Sequence, residues 1–435
     1  MQSNAVATPL RVADDEAGLY SRVAWRLVPF LFLCYLCAYL DRINVSFAKL
    51  QMSQALGLSD AAYGFGAGVF FVGYLLFEVP SNLVLLKVGA RRWIARIMVT
   101  WGVLSAAMMF VNGTTSFYVL RFLLGAAEAG FFPAILLYLT YWFPNKRRSK
   151  VTALFMTGIP MSGVVGGPLS GWIMTHFAGA QGLGGWQWLF LFEGLPTVII
   201  GVAAFFFLDD KVSDAKWLSE PEKATIQRDL AAEHQGHHLH SIKDGLTNPR
   251  VLLLCLIYMC FTMGLYGVSF WLPSIVKASG VSNPLDIGLL SAIPYAAAAV
   301  AMVVTGRHSD SSGERRWHLS MAGVVGAAGL CASVFFARDT ALAMVALTIG
   351  TMGVMTTISQ FWTLPPAMLL GGAAAAGIAL ANSVGSISGV ISPYLIGWVQ
   401  TNSGTTGAGV FGLAACMILG SLLTFTVPAR LVNPK

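Results

Sequence analysis

The chain has 435 residues, 56% of them hydrophobic and only 11% charged, with a formal net charge of +7. Soluble domains carry about a quarter charged residues, so this composition, with a mean hydropathy of +0.68, excludes a disordered chain, a disulfide scaffold and a soluble enzyme. The six cysteines (Cys34, Cys37, Cys255, Cys260, Cys331 and Cys416) all lie in apolar runs and read as small buried hydrophobes.

A helix that crosses a bilayer needs about 20 predominantly apolar residues. Twelve stretches meet or approach that length: 26–47, 61–86, 93–112, 116–143, 151–176 and 187–208, then 250–276, 286–306, 317–336, 341–363, 372–399 and 408–427. The predicted fold is an all-α integral membrane protein of 12 transmembrane helices in two six-helix halves. Segment 1–25 is a polar tail, and the first apolar run is too long for a cleavable leader, so it reads as a retained span. Residues 26–208 then form an N-terminal bundle, 209–249 a linker, 250–427 a C-terminal bundle and 428–435 a second tail. Within the linker, Ser219-Glu220-Pro221-Glu222 predicts a helix start and an amphipathic surface helix beyond it. His234, His237, His238 and His240 read as a solvated cluster, because no spaced Cys or acid completes a metal site.

Orientation follows from where Lys and Arg fall. With both termini in the cytoplasm, 22 of the 27 basic residues lie on the inner side, among them Lys87, Arg91, Arg92 and Arg96 in the 2–3 loop and Arg307, Arg315 and Arg316 in the 8–9 loop. Only Lys49, Lys277 and Arg338 lie outside, and Arg42 and Arg121 fall at membrane depth. This placement accounts for the net charge with a lipid bilayer as the partner and no nucleic acid.

The two halves echo each other. Gly89-Ala90-Arg91-Arg92-Trp93 after span 2 matches Gly313-Glu314-Arg315-Arg316-Trp317 after span 8, and Gly171-Trp172 in span 5 matches Gly397-Trp398 in span 11. A parallel repeat of six plus six spans places a ligand site near the midplane between the halves. Gly163, Gly167 and Gly171 form a small-residue stripe that reads as helix packing.

Longer motifs carry a resemblance. Tyr39-Leu40-Asp41-Arg42-Ile43-Asn44 in span 1 and Gly73-Tyr74-Leu75-Leu76-Phe77-Glu78-Val79-Pro80-Ser81-Asn82 in span 2 are two of its landmarks. Arg121-Phe122-Leu123-Leu124-Gly125-Ala126-Ala127-Glu128 in span 4, Trp186-Gln187-Trp188-Leu189-Phe190-Leu191-Phe192-Glu193-Gly194 in span 6 and Gly306-Arg307-His308-Ser309-Asp310 in the 8–9 loop complete them. Along its whole length the chain resembles the major facilitator superfamily, and more narrowly the anion:cation symporters that carry tartrate, phthalate, hydroxyphenylacetate and aldonates. It departs from the superfamily pattern in the 2–3 loop, where an Asp is usual and Lys87-Val88-Gly89 stands instead. The first-half charge latch therefore lacks its acid, whereas the 8–9 copy keeps Asp310.

An ionisable group at the bilayer centre costs roughly 2.5–3.5 kcal/mol on insertion scales, so it persists when paired or functional. Arg121 and Glu128 share a helix face but stand about 10.5 Å apart along the axis, too far for a direct bridge. Arg121 therefore has charge free for a carboxylate, which fits its planar fork. Arg42 lies on a polar stripe with Tyr35, Tyr39 and Ser46; spacing alone leaves open a substrate site or a snorkelling side chain, and the resemblance implies the site. The resemblance also implies substrate contacts at Tyr74, Ser359, Trp362 and Asn382, and proton coupling at Asp41 and Glu128. Glu78, Glu193, Arg91, Arg92, Asp310, Arg315 and Arg316 read as gate or structural charges. Thr262, Tyr266 and Ser269 form a further polar stripe on span 7.

The function expected is import of a small organic anion, a hydroxylated or aromatic carboxylate, by proton symport with alternating access in a bacterial inner membrane. No cofactor is expected, since the proton gradient drives transport and no phosphate-cradling glycine loop is present. A monomer is expected. The alternatives are an organic-anion exchanger or, in a different class, a membrane enzyme acting on a lipid-linked substrate; the short outer loops weigh against the enzyme.

Overall fold

The computed structural model of the chain describes residues 9–234, 248–368 and 371–433, and all regular structure among them is helical. His237, His238 and His240 lie outside the described residues. Before the middle of the chain run α1 (Pro9–Leu56), α2 (Asp60–Val88), α3 (Ala90–Ala107), α4 (Thr114–Glu128), α5 (Phe131–Thr140), α6 (Asn145–Met156), α7 (Gly158–His176) and α8 (Gly185–Phe207). The helix expected in the linker is α9 (Glu220–His234). Then come α10 (Pro249–Ala278), α11 (Pro284–Ser312), α12 (Arg316–Phe335), α13 (Thr340–Phe361), α14 (Leu364–Met368), α15 (Gly371–Ser403), α16 (Gly407–Thr426) and α17 (Ala429–Val432).

Eleven helical stretches are long and apolar enough to cross a membrane. The expected span 151–176 is not among them. It divides at Thr157 into α6 and α7, and the glycines, serines and prolines of α7 that dilute its hydropathy are mostly turned inward. Asn248 and Asn283 each cap a helix that opens with proline, their side-chain oxygens accepting from Arg250 N and Leu285 N at 2.9 and 3.0 Å.

Two helices depart from simple rods. α1 is 48 residues long, so the polar tail expected before residue 26 continues the first span as helix from Pro9 onward. Its foot is tied to α9 by Tyr20 Oη donating to Asp229 at 2.9 Å, by an Arg22–Glu222 ion pair and by Arg228 to Glu16 at 2.7 Å. The stretch 116–143, read as one span, is broken between α4 and α5 at Ala129-Gly130. Gly130 takes φ 87°, and a Cβ there would lie 2.3 Å from Ser81 Oγ, so both the backbone and the neighbour require glycine.

The halves meet along two equivalent seams, α7 on α11 and α15 on α2. Gly171 packs against the start of α11, where a Cβ would stand 2.5 Å from Pro284 O. Gly397 packs against the start of α2 in the same way, 2.2 Å from Asp60 O. The two Gly-Trp copies thus do the same job, close backbone approach. Gly163 and Gly167 extend the first seam toward Tyr295 and Gly288. At the end of the molecule remote from α9, polar bonds also join the halves: Lys49 Nζ to Ser274 at 3.2 Å, Tyr63 Oη to Phe270 O at 3.0 Å and Ala61 N to Thr401 at 2.9 Å.

Candidate functional site

Between the halves lies a cavity. The N-terminal half lines it with Tyr35, Tyr39, Arg42, Phe71, Tyr74 and Glu128, and the C-terminal half with Tyr258, Tyr266, Trp362, Asn382 and Ser386. Its charge comes from one side. Arg42 on α1 forms an ion pair with Glu128, the last residue of α4; the Glu128 side chain is buried and that of Arg42 largely so, 13% exposed. The helix break after Glu128 is what ends α4 at this depth.

The guanidinium of Arg42 also stands over aromatic faces, 4.9 Å from the Tyr39 ring centre, 5.4 Å from Phe70 and 5.8 Å from both Phe71 and Tyr74. Ring faces hold a cation without neutralising it. Its Nε has no acceptor, and neither has the indole Nε1 of Trp362 on the opposite wall. Buried donors without partners are rare in native proteins. Here two of them border one cavity from opposite halves, where an acceptor-bearing guest would satisfy both.

Three of the four substrate contacts implied by the resemblance, Tyr74, Trp362 and Asn382, line the cavity, and Ser359 does not; its hydroxyl donates back to Thr356 O at 3.0 Å. Trp362 caps α13 just before Pro365-Pro366, where the lost backbone donors break the helix. It packs on Tyr258 at 4.9 Å between ring centres. Tyr258 and Tyr266 are lining residues that sequence reasoning missed or set aside; the four-residue spacing Tyr258–Thr262–Tyr266 is the signal that could have found them.

Arg121 sits elsewhere. It is 1% exposed, outside the cavity lining, with Nε and Nη2 directed at Gly66 O and Ala67 O of α2 at 3.4 and 3.3 Å and its guanidinium 4.8 Å from the Phe70 ring. In this conformation two of the donors expected to bind a carboxylate face backbone carbonyls across the α2–α4 contact, which sequence spacing cannot reveal.

Asp41 points away from Arg42 into the N-terminal bundle. It accepts from Trp101 Nε1 at 2.7 Å, Ser105 Oγ at 2.6 Å and Thr197 Oγ1 at 2.9 Å. Glu193 accepts from Ser170 Oγ at 2.8 Å in the same bundle. Glu78 reaches across the seam, accepting from Asn382 Nδ2 at 3.3 Å and Ser383 Oγ at 3.4 Å.

At the α9 end, the acid missing from the 2–3 loop is supplied from beyond α8. Asp210 accepts from Arg91 N at 2.9 Å and pairs with Arg91 Nε at 3.5 Å. Arg92 is exposed. Asp310 is also exposed and makes no ion pair among the described residues, so the expected latch acid of the second copy is unengaged here. Arg315 and Arg316 instead donate to Thr363 O and Phe425 O at 3.0 and 3.1 Å, binding the carbonyl ends of neighbouring helices.

The sequence profile of the Major Facilitator Superfamily matches residues 31–393. A candidate metabolite transport protein of Pseudomonas putida, NicT, is 49% identical over 433 residues, 99% of each chain. A candidate tartrate transporter of Agrobacterium vitis is 48% identical over 94% of this chain and 91% of its own. In three dimensions the chain is similar to a bacterial homologue of the human lysosomal transporter Spinster, solved inward-facing and occupied, with a TM-score of 0.76 at 14% identity over 93% and 96% of the two chains.

Proposed function

The chain belongs to the major facilitator superfamily, a multi-pass membrane transporter and not an enzyme, and from that premise we propose that it imports a small organic carboxylate together with protons. In this reading α6 and α7 supply a twelfth crossing, both termini and α9 face the cytoplasm, and Arg42 is the anion ligand. The observation that carries it is the Arg42–Glu128 pair in a cavity whose remaining buried donors, Arg42 Nε and Trp362 Nε1, lack acceptors.

Protonation of Glu128 releases Arg42 from its internal partner, and a substrate carboxylate takes its place with bidentate geometry. Proton and anion then favour each other's binding by reciprocity. Tyr74, Trp362 and Asn382 orient the rest of the substrate, and Asp41 and Glu128 carry the protons. Arg121 holds α2 to α4. The tartrate name of one relative supports a hydroxylated acid, while the Tyr, Phe and Trp walls favour a flat ring stacked between them.

Thermal stabilisation of the purified protein by tartrate, an aldonate, phthalate and hydroxyphenylacetate ranks these classes, with the aromatic acids expected to stabilise most. In proteoliposomes, uptake of the stabilising acid is expected to collapse when a protonophore removes the pH gradient. Persistent uphill uptake without that gradient would overturn the symport reading in favour of exchange.

A further inference from the structure

Apart from the cavity, the N-terminal half buries a second pair of acids, Asp41 at 1% exposure and Glu193 at 5%. No Lys or Arg among the described residues pairs with either. The groups around them come from five helices: Cys37 and Asn44 on α1, Trp101 and Ser105 on α3, Glu128 on α4 with its own partner Arg42, Ser170 on α7 and Thr197 on α8. None of the groups that contact Asp41 or Glu193 carries a positive charge, and the guanidinium of Arg42 is engaged by Glu128. Two bare carboxylates cannot share such a site, because each charge is desolvated and each repels the other.

The hydrogen bonds say where the compensating proton rests. Both oxygens of Asp41 accept, Oδ2 from Trp101 and Thr197 and Oδ1 from Ser105, with Asn44 Nδ2 a fourth donor at 3.5 Å. That is the environment of an anion. Glu193 is different: Oε1 accepts from Ser170, while Oε2 has no partner. The other orphan in this core is Asn44 Oδ1, an acceptor without a donor, on a side chain within hydrogen-bonding reach of Glu193. A proton on Glu193 Oε2, with the Asn44 amide turned so that its oxygen and not its N–H2 faces the carboxyl, resolves both vacancies, since the carboxylic O–H then donates to the amide oxygen.

We propose that Asp41 and Glu193 hold one exchangeable proton between them, resting on Glu193 in this conformation, with the Asn44 amide as the element that reads its position. When the proton moves, the O–H bond on Glu193 Oε2 breaks and one forms on Asp41 Oδ1. Asn44 turns over so that Nδ2 faces the Glu193 carboxylate and Oδ1 accepts from Asp41. The pair keeps a charge of minus one throughout. The proposal rests on the proton-symport reading for its purpose but not for its chemistry, and it makes Glu193 a proton-holding group rather than only a helix anchor.

Infrared difference spectra of the full-length protein in lipid, recorded across a pH titration without substrate, test it. The difference between wild type and E193Q is expected to contain the carbonyl band of a buried neutral carboxyl that persists to alkaline pH; D41N keeps that band, and bands of Glu78 and Glu128 cancel in the difference. N44L removes the acceptor, so the band moves in frequency and in midpoint, and this variant decides the matter if E193Q does not fold. A carboxyl spectrum that E193Q leaves unchanged, or a Glu193 band unmoved in N44L, overturns the shared proton. Uptake that ignores a protonophore ends the symport reading separately, because the infrared measurement requires no transport.

Discussion

The two halves of the molecule divide the labour unequally. Every buried charged side chain among the described residues (Asp41, Lys49, Glu78, Arg121, Glu128 and Glu193) belongs to the N-terminal half, whereas the C-terminal half buries only neutral polar groups such as Thr262, Ser269, Ser386 and Ser388. The difference has a mechanical reason. Breaking one partner out of a buried ion pair costs about 3–5 kcal/mol, but a neutral hydrogen bond contributes only about 0.5–1.5 kcal/mol. Charges that must compensate each other therefore sit on helices that move together, as Arg42 and Glu128 do on α1 and α4. The seam that has to open is held by weaker ties.

The comparison is broken most severely at Arg42. Arg42→Gln leaves Glu128 buried without its cation, and uptake of the stabilising acid is expected to fall at least about a hundredfold, with a loss of about 3 kcal/mol in stability. Adding Glu128→Gln should restore most of the melting temperature and none of the uptake, measured on the same preparations. Uptake that survives Arg42→Gln would move anion recognition out of the N-terminal half.

Arg121→Lys sharpens the same contrast. A lysine cannot serve Gly66 O and Ala67 O with a planar fork, so the melting temperature should drop while the affinity for the carboxylate stays within about threefold of wild type, a margin below 1 kcal/mol. A large affinity loss with unchanged stability would return Arg121 to the binding site.

On the neutral side, Trp362→Phe keeps the ring and deletes one donor. About 1 kcal/mol, or roughly fivefold in Kd, is expected by calorimetry. The smallest effect belongs to neither half. The Ser219 N–H and hydroxyl bind Glu222 at the start of α9 and hold its carboxyl below the usual range. This cap contributes at neutral pH and is lost as pH falls through the lowered value. Ser219→Ala should cost less than about 1 kcal/mol, and melting curves of wild type and variant should converge in acid.

Apolar run lengths located eleven of the twelve expected spans because lipid enforces them residue by residue, and they fell short at 151–176, where α6 and α7 divide. Two intramembrane charges that line the cavity, Arg42 and Glu128, stood out because they are costly where they stand, whereas Trp362 and Asn382 were implied by the family resemblance. What stayed hidden depended on partners remote in the chain. The carbonyls of α2 that face Arg121 leave no mark in its own helix, and Asp210 was invisible as the mate of Arg91 because 119 residues separate them. The break at Gly130 was obscured by uninterrupted hydrophobicity, although the required φ and the nearby Ser81 make it obligatory.

The unbroken 48-residue reach of α1 has one more implication. The same rod that presents Arg42 to the cavity carries Glu16, Tyr20 and Arg22 at its foot, where they grip α9. Pro29 removes one backbone hydrogen bond between the foot and Arg42, so α1 couples the two ends through a softened point. A tilt of the N-terminal half still draws the connecting segment with it as far as His234, as a rudder follows its post.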